Sequence, residues 1–505
     1  MGRTLESVIF IVFLSCAFSE ITVQKEAQAE ALLRWKNRLK SHSLTSWSLT
    51  SWSLTNVTGK SPCNWTGIHQ CNEVNDIIKI NLANSGLDGT LDQLDFSVFP
   101  NLTSLSFCFN NLVGSIPSQL GMLSRLVFLD MGSNNFTSTI PVQLGNLLEL
   151  QVLRLSNNSL NGQIPYQLSN LQKAWNFNLA GNYLLNPDHI RFKGMKSLTF
   201  LWLNYNYLDT EVPPFIFQYP KLIFLDLSEN IITGPLPVQL ATSLKNLEFL
   251  NLTSNSFEGE IPVEITHLSK LQHMRLGLNK LNGTIPYEVG LLSNLQILEL
   301  NDNLFNGPIP SSIGKLKMLQ TLNFQNSGLN SSIPYELGFC TNLTFLNLSI
   351  NNLSGPLPKS MASLSQLVDF GISSNKLSGE VQAYFLSNWT NLNSLQLQHN
   401  NFSGAIPPEI GMLQKITYLY LFDNQLLGSL PPEIGNLSNL IDLDLSNNLI
   451  TRSIPSSLGN LTTVVSINFY NNQLSGTLPP EVGNMQSITS LDYTRRFWPQ
   501  CSTEC

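Results

Sequence analysis

LQVLRLSNNSLNGQIP, Leu150 to Pro165, decides how this chain folds, because its pattern LxxLxLxxNxLxGxIP returns along most of the sequence. The alternation Val152-Leu153-Arg154-Leu155 predicts a short strand with leucines on one side and polar or variable residues on the other. Asn158 then bends the chain inward. Its side-chain amide carries both a donor and an acceptor, so one such residue per turn can satisfy backbone groups of the neighbouring turn that a tight buried bend would strand. Leu160 and Ile164 return apolar bulk to the interior. Gly162 permits a turn closed to most side chains, and Pro165 fixes φ where no ladder donor is needed. The stretch reads as one coil of a solenoid.

Slid along the sequence, the template places its Asn position at 85, 110, 134, 158, 182, 206, 230, 255, 279, 303, 327, 351, 375, 400, 424, 448 and 472. Every interval is 24 or 25 residues, and the extra residues fall before 110, 255 and 400. Only Ser85 and Ser327 break the run of asparagines, and serine can still hydrogen-bond. This register defines a leucine-rich repeat. The fold expected is an α/β solenoid of 24-residue repeats with a concave parallel β-sheet. Length alone, at 505 residues, would suggest about three domains. The repeat overrules that, because each coil buries its leucines only against adjacent coils. The divisions expected are 1–19, a signal peptide; 20–73, a helical cap with a cysteine pair; 74–496, about 17 full repeats plus one partial; and 497–505, a non-repeat tail.

Residues 1–19 carry Arg3, the apolar run Val8 to Leu14, and small residues at Ala17 and Ser19, the features of a secretory signal. The apolar run is far below the ~20 residues a spanning helix needs, and no second hydrophobic span follows. The mature chain is therefore expected to be secreted, with no transmembrane segment. KEAQAEALLRWKNRL then places Ala31, Leu32, Trp35 and Leu39 at helical spacing among charges. A Ser/Thr/Trp-rich stretch with SLTSW in duplicate leads to PCNWTGIHQC, where Cys63 and Cys71 bracket Trp65 and Gly67. In a secreted chain these two cysteines are expected to form a disulfide that caps the exposed end of the solenoid.

The helix, the cysteine bracket around Trp65 and the GxIP-type repeat resemble the extracellular domain of plant leucine-rich-repeat receptor kinases and receptor-like proteins. The likeness covers residues from about 24 to 494. It implies a right-handed superhelix, a second small sheet built from the L-x-G-x-I-P segments, and recognition of a peptide or protein ligand, with a co-receptor possible as a further partner, on the concave and lateral faces. Polygalacturonase-inhibitor proteins are similar but shorter. The steroid-binding members' island domain has no place in a register without large insertions. The repeat after Asn182 reads YLLNPDHIRFKGM and lacks GxIP, so the second sheet should be interrupted there.

Several motifs are explained by repeat phase. Asp369-Phe370-Gly371 spells a kinase triplet, yet Phe370 falls on a leucine position and its neighbours on outward positions, and the chain has no Gly-rich phosphate loop, strand lysine or HRD loop. The six histidines show no ligand spacing and no Cys-x-x-Cys occurs, so neither a metal, a cofactor nor an enzymatic site is expected. A net charge of −7 gives no reason to expect nucleic acid as partner. Fifteen sequons have a permitted middle residue: Asn56, Asn64, Asn101, Asn135, Asn157, Asn251, Asn282, Asn330, Asn342, Asn347, Asn352, Asn388, Asn401, Asn436 and Asn460. Some are dictated by the repeat itself. Asn251 and Asn347 sit between strand leucines on the concave face, where a glycan would cover several coils. Cys340 is expected to pack as a small apolar residue beside Leu343, and Cys108 to point outward beside Asn110.

Ligand contact should concentrate on concave positions that are variable and unshielded. One candidate cluster combines Phe200, Trp202 and Tyr205 with His273, Arg275 and Glu299; the other is Tyr418, Tyr420, Phe422 and Tyr470. Aromatic and Arg side chains supply most hot-spot energy at interfaces. Phe128, Phe224, Phe249 and Phe345 recur just before the second strand leucine and read as repeat filling. The Arg-x-Arg pair of several peptide-binding relatives is absent, since Arg275 is followed by Leu276 and Gly277. The reading is an extracellular recognition module. A secreted inhibitor of a cell-wall-degrading enzyme and a truncated receptor fragment are the alternatives. At the carboxyl end the Asn position holds Arg496 and the chain leaves the pattern as FWPQCSTEC, so the last coils are expected to be poorly capped.

Overall fold

The computed structural model describes residues 26–40, 49–53, 62–73 and 76–494. The signal sequence, Asn56, Arg496 and the tail with Cys501 and Cys505 lie outside them.

Every coil solves the same problem: a chain that turns back on itself every 24 residues must pair its backbone with the next coil or leave it stranded in the core. Three elements share the work. A three-residue strand such as Phe200–Trp202 presents its central leucine inward and its flanks outward. A lateral strand such as Ser159–Gln163 runs through the Asn-x-Leu-x-Gly segment. A short 3-10 helix such as Tyr166–Asn170 follows the proline, with Leu168 buried. Pro165 stands just before it in extended conformation (φ −62°, ψ 125°), with no side-chain cap.

The ladder asparagine behaves as its chemistry requires. Asn158 Nδ2 donates to the carbonyls of Met131, Leu155 and Ser156 at 3.0–3.2 Å, while its Oδ1 accepts from the amide of Phe136 at 3.0 Å. One side chain thus ties two coils together. The bend, however, belongs to the residue before it. Asn157 is left-handed at φ 54°, and the same position is left-handed in every coil from Asn84 to Asn471, including Phe109 (φ 57°), Leu278 (φ 54°) and Ile350 (φ 59°). Only Gly181 fills that column with a glycine.

The chain divides into two units, residues 1–233 and 234–505. In the first, the inner strands from Ile77–Asn81 to Phe224–Asp226 pair in parallel and in register. An antiparallel strand, Ile68–Cys71, covers the leading edge by pairing with Ile77–Asn81. Behind it sits the cap. Helix 26–36 buries Ala31, Leu32 and Trp35. Trp35 Nε1 donates to Thr90 O at 2.8 Å, and Trp35, Trp52 and Trp65 form a chain of ring contacts at 6.4 and 5.4 Å. The Cys63–Cys71 disulfide is formed, with Cα atoms 5.9 Å apart. The cap is therefore an indole core locked by one covalent bond.

The lateral sheet of this unit has five strands, from Asp88–Gly89 to Tyr183–Leu185, and ends where GxIP is lost. There Asn186 Nδ2 turns to Asp209 Oδ1 at 2.9 Å, and Phe192 packs on Phe215 with ring centroids 4.4 Å apart.

In the second unit the inner strands run in register from Phe249–Asn251 to Ser490–Asp492. Its lateral strands Ser256–Gly259 and Lys280–Leu281 pair, and a seven-stranded run follows from Asn330–Ser331 to Gln473–Leu474. Between Leu281 and Asn330 the lateral strand is missing although LFNGPIP keeps the motif. The backbone bonds persist, Leu304 N to Leu281 O at 2.7 Å and Asn306 N to Gly283 O at 2.8 Å. What is lost is regularity, not pairing. Cys340 occupies a leucine position, fully buried, with Sγ donating to Ile313 O at 3.1 Å.

Candidate ligand-binding surfaces

Alternation along each inner strand sends one residue on either side of the central leucine to the open face of the sheet, so the candidate surfaces are built from columns of such residues. In the first unit Phe200 and Trp202 flank Leu201 and stack on each other at 5.7 Å. Trp202 also packs on Phe224 of the next strand at 4.6 Å, and Trp175 meets the edge of Phe200 at 6.0 Å. The four rings form one half-buried aromatic patch. Phe224 belongs to it, so the sequence reading that made Phe224 repeat filling missed its role as the floor under Trp202. Trp175 was missed as well; it lies one residue before the strand, where no leucine pattern draws attention to it.

Tyr205 stands apart from these rings in the left-handed column, 59% exposed. It lines a shallow groove with Tyr183, Tyr207 and Glu229, and Tyr183 and Tyr207 stack at 5.7 Å. Both of these tyrosines follow a ladder asparagine directly, in adjacent coils, which was the available sequence signal.

His273, Arg275 and Glu299 belong to the second unit, whereas Phe200, Trp202 and Tyr205 belong to the first. The charged set is assembled as a unit of its own. Arg275 Nε lies 3.3 Å from Glu299 Oε2, and its guanidinium is 5.8 Å from the centroid of Phe249. His273 packs edge-on to the same ring at 5.4 Å. Burial, and then the Arg275 charge, lowers the His273 pKa below the ordinary imidazole value.

Further along, Tyr418 and Tyr420 flank Leu419 and approach each other at 6.3 Å, with Phe422 6.4 Å beyond Tyr420. Tyr420 Oη donates to Asp442 Oδ2 at 2.9 Å. Burial, reinforced by that hydrogen bond, raises the Tyr420 pKa well above the phenol value. Phe422 meets His399 edge-on at 4.9 Å, and His399 Nδ1 lies 2.7 Å from Asp423 Oδ2. Tyr470 shares the Phe422 column two coils on, with Ser446 between them. Two of the sequon asparagines also lie on inner strands, Asn251 on Phe249–Asn251 and Asn347 on Phe345–Asn347, both half-buried. Asn347 Nδ2 donates to Gln325 Oε1 at 2.9 Å. Asp369-Phe370-Gly371 forms an ordinary inner strand with Phe370 buried, which leaves that triplet its structural role alone. No group of three or more metal-ligating side chains occurs among the described residues.

Coils that carry a conserved-length ladder and display variable side chains on a parallel sheet define a leucine-rich-repeat protein. The leucine-rich repeat region family matches residues 205–407, and single leucine-rich repeats match at 101–123, 125–147, 149–171, 415–437, 439–461 and 463–485. Among curated proteins, the chain is 34% identical over 124 residues to the leucine-rich repeat receptor-like serine/threonine-protein kinase RGI4 of Arabidopsis thaliana, a match covering 24% of this chain and 11% of that protein. It is 32% identical over 215 residues to Receptor-like protein 39 of the same plant, covering 41% and 21%. Among solved structures, the plant peptide hormone receptor RGFR1 in complex with RGF2 superposes with a TM-score of 0.74 at 34% identity, over 85% of this chain and 71% of that one. The Arabidopsis receptor kinase HAESA, in complex with the peptide hormone IDA and the co-receptor SERK1, gives 0.68 at 29% identity, over 92% and 89%. The chain belongs to the family of plant leucine-rich-repeat receptor ectodomains. It spans a small part of the length of the curated relatives it matches, and no helix among its described residues is long and apolar enough to cross a membrane.

Proposed function

We propose that this chain is the extracellular recognition module of a plant receptor or receptor-like protein, and that it binds a peptide or a segment of a partner protein on the open face of its inner sheet. The observation that carries the reading is the aromatic patch at Tyr418, Tyr420 and Phe422, where three rings stand on the outer side of a strand whose leucines already fill the core. A soluble sheet face gains nothing from such rings unless something covers them. The patch around Trp202 supports the same use in the first unit. Solved structures similar to this chain include peptide-hormone complexes, one with a co-receptor, so a co-receptor is a further partner under this reading. The location is the cell surface or the apoplast.

The test uses a displayed library of random nonapeptides, selected on the glycosylated protein. Peptides that enrich are measured against W202A and Y420A. Loss of a hot-spot ring should weaken binding on the order of tenfold or more in at least one variant. Full affinity for both variants would place recognition elsewhere.

A further inference from the structure

We propose that the inner face formed by the strands Tyr418–Tyr420 and Asp442–Asp444 takes an arginine-bearing peptide segment, whose guanidinium lies against a tyrosine ring and between the two aspartates. The inference rests on the peptide-binding reading and names the chemistry of the occupant.

The inner sheet elsewhere shows what such a site looks like when it is filled. Arg154 lies 3.7 Å from Asp130 on the adjacent strand, with its guanidinium 5.9 Å from the centroid of Phe128. Arg275 repeats the arrangement with Glu299 at 3.3 Å and Phe249 at 5.8 Å. In both places two columns of the sheet bring together a ring, a carboxylate and a guanidinium supplied by the chain itself.

At Tyr418 and Tyr420 the rings and carboxylates are present, and the described residues supply no guanidinium. Tyr418 pairs in register with Asp442, and Tyr420 with Asp444, so each tyrosine and its paired aspartate leave the same face from backbones one strand spacing of ~4.8 Å apart. Asp442 accepts from Tyr420 Oη, and Asp444 accepts from the Ser446 amide at 2.9 Å and from Asn468 Nδ2 at 3.0 Å. These neutral donors orient the carboxylates and leave part of their acceptor capacity open. Among the described residues, neither carboxylate meets a Lys or Arg there. From Ser394 to Asn471, the six positions before each ladder asparagine hold Asp423, Asp442 and Asp444, and no Lys or Arg. His399 is taken up by Asp423.

Arginine fits better than lysine. A planar guanidinium can stack on a ring and bind a carboxylate through two parallel N–H groups at once, whereas an ammonium is a point charge. The face is also open to a chain. Asn388, Asn401, Asn436 and Asn460, the sequons of this stretch, all lie off the inner strands.

The same nonapeptide selection tests this directly, with the glycosylated full chain as bait and a D442N/D444N variant beside it. Arginine should enrich on the wild type. Selected peptides should lose on the order of tenfold in affinity on D442N/D444N, and by a similar factor when citrulline, neutral and of the same shape, replaces the arginine. The citrulline arm needs no variant to fold. Enriched peptides without arginine, or with arginine that citrulline replaces at no loss, overturn the inference; if those peptides still depend on Trp202 or Tyr420, the peptide-binding reading stands. A selection that enriches nothing overturns both.

Discussion

Asn351 holds the backbone amide of Ser327, its Oδ1 accepting at 3.1 Å, and takes the amide of Leu329 as well at 3.0 Å. In an ordinary coil Oδ1 receives one amide, as Asn375 does from Leu353, while the ladder residue's own amide goes to a backbone carbonyl, as Asn351 N does to Ser374 O. The only other serine of the ladder behaves the same way: Asn110 Oδ1 accepts from both Ser85 and Leu87. Both serines precede a left-handed glycine, Gly86 at φ 66° and Gly328 at φ 75°. Ser-Gly is therefore a two-residue variant of the coil, in which the next asparagine takes over an amide.

Replacing Asn351 by alanine strands two amides and the carbonyl of Phe324, all buried, while the Leu348 carbonyl keeps its bond from Asn375 Nδ2. A cost of about 2–4 kcal/mol is expected, since each buried group left unpaired carries its own desolvation penalty. Asn375→Ala strands one amide fewer and should cost less. Denaturant midpoints of the two variants compare them directly, and the reverse order would refute the double role.

Thr210 stands at the position where Gly162, Gly259 and Gly355 stand in other coils, and it is left-handed at φ 59°. A branched side chain there carries the left-handed penalty of about 1–2 kcal/mol, against which glycine loses about 0.5–1 kcal/mol of backbone entropy. Thr210→Gly should thus be stabilising by a few tenths to about 1 kcal/mol. A lowered unfolding midpoint would show that the Thr210 side chain, which accepts from Asn186 Nδ2 at 3.2 Å, matters more than the strain.

Burial pushes the Cys340 thiol up to about 11, from an ordinary value of 9.0. The unfolded chain loses this proton first as pH rises, so folding is fully supported below about pH 9 and weakens between about 9 and 11, by at most about 1.4 kcal/mol per unit. Cys340→Leu, which restores the residue found at this position in neighbouring coils, should remove that slope. The check is the unfolding midpoint across pH 8 to about 11, wild type against variant; a slope that persists in the leucine variant belongs to another group.

Leu474, Leu478, Ile488 and Leu491 keep partial exposure, whereas their counterparts Leu426, Leu430, Ile416 and Leu419 are buried to 3% or less. Less buried apolar surface means a lower local opening free energy. Amide hydrogen exchange is expected to be fastest beyond about residue 464 and slower through the coils of Leu298 and Leu346. Uniformly slow exchange through Leu491 would show that these coils are as well held as the rest.

The repeat was legible because one residue type per coil has a duty that backbone chemistry dictates, and Asn158 discharges it through the bonds its two polar atoms allow. The loss of lateral pairing after Leu185 followed from the missing GxIP. The second break, at LFNGPIP, did not, because the motif is intact there and only the strand geometry lapses. The left-handed residue before each asparagine was also hidden, since its column accepts nearly any side chain and so leaves no pattern. Within the candidate surfaces, Trp202, Tyr418 and Tyr420 could be picked out by position. The coupling of Trp202 to Phe224 and of Tyr420 to Asp442 could not, since it depends on where side chains lean across neighbouring strands.

That left-handed column has a consequence for how such a chain can change. Its backbone is held from outside, by amides donated to the following coil, as Tyr205 N does to Ser228 O and Asp423 N to Ser446 O. The conformation therefore survives whatever the side chain is, be it Phe109, Glu229, Leu278, His399 or Asp423. Each coil keeps one letter blank beside the inner sheet, and a row of such letters can be respelled without disturbing the grammar of the core.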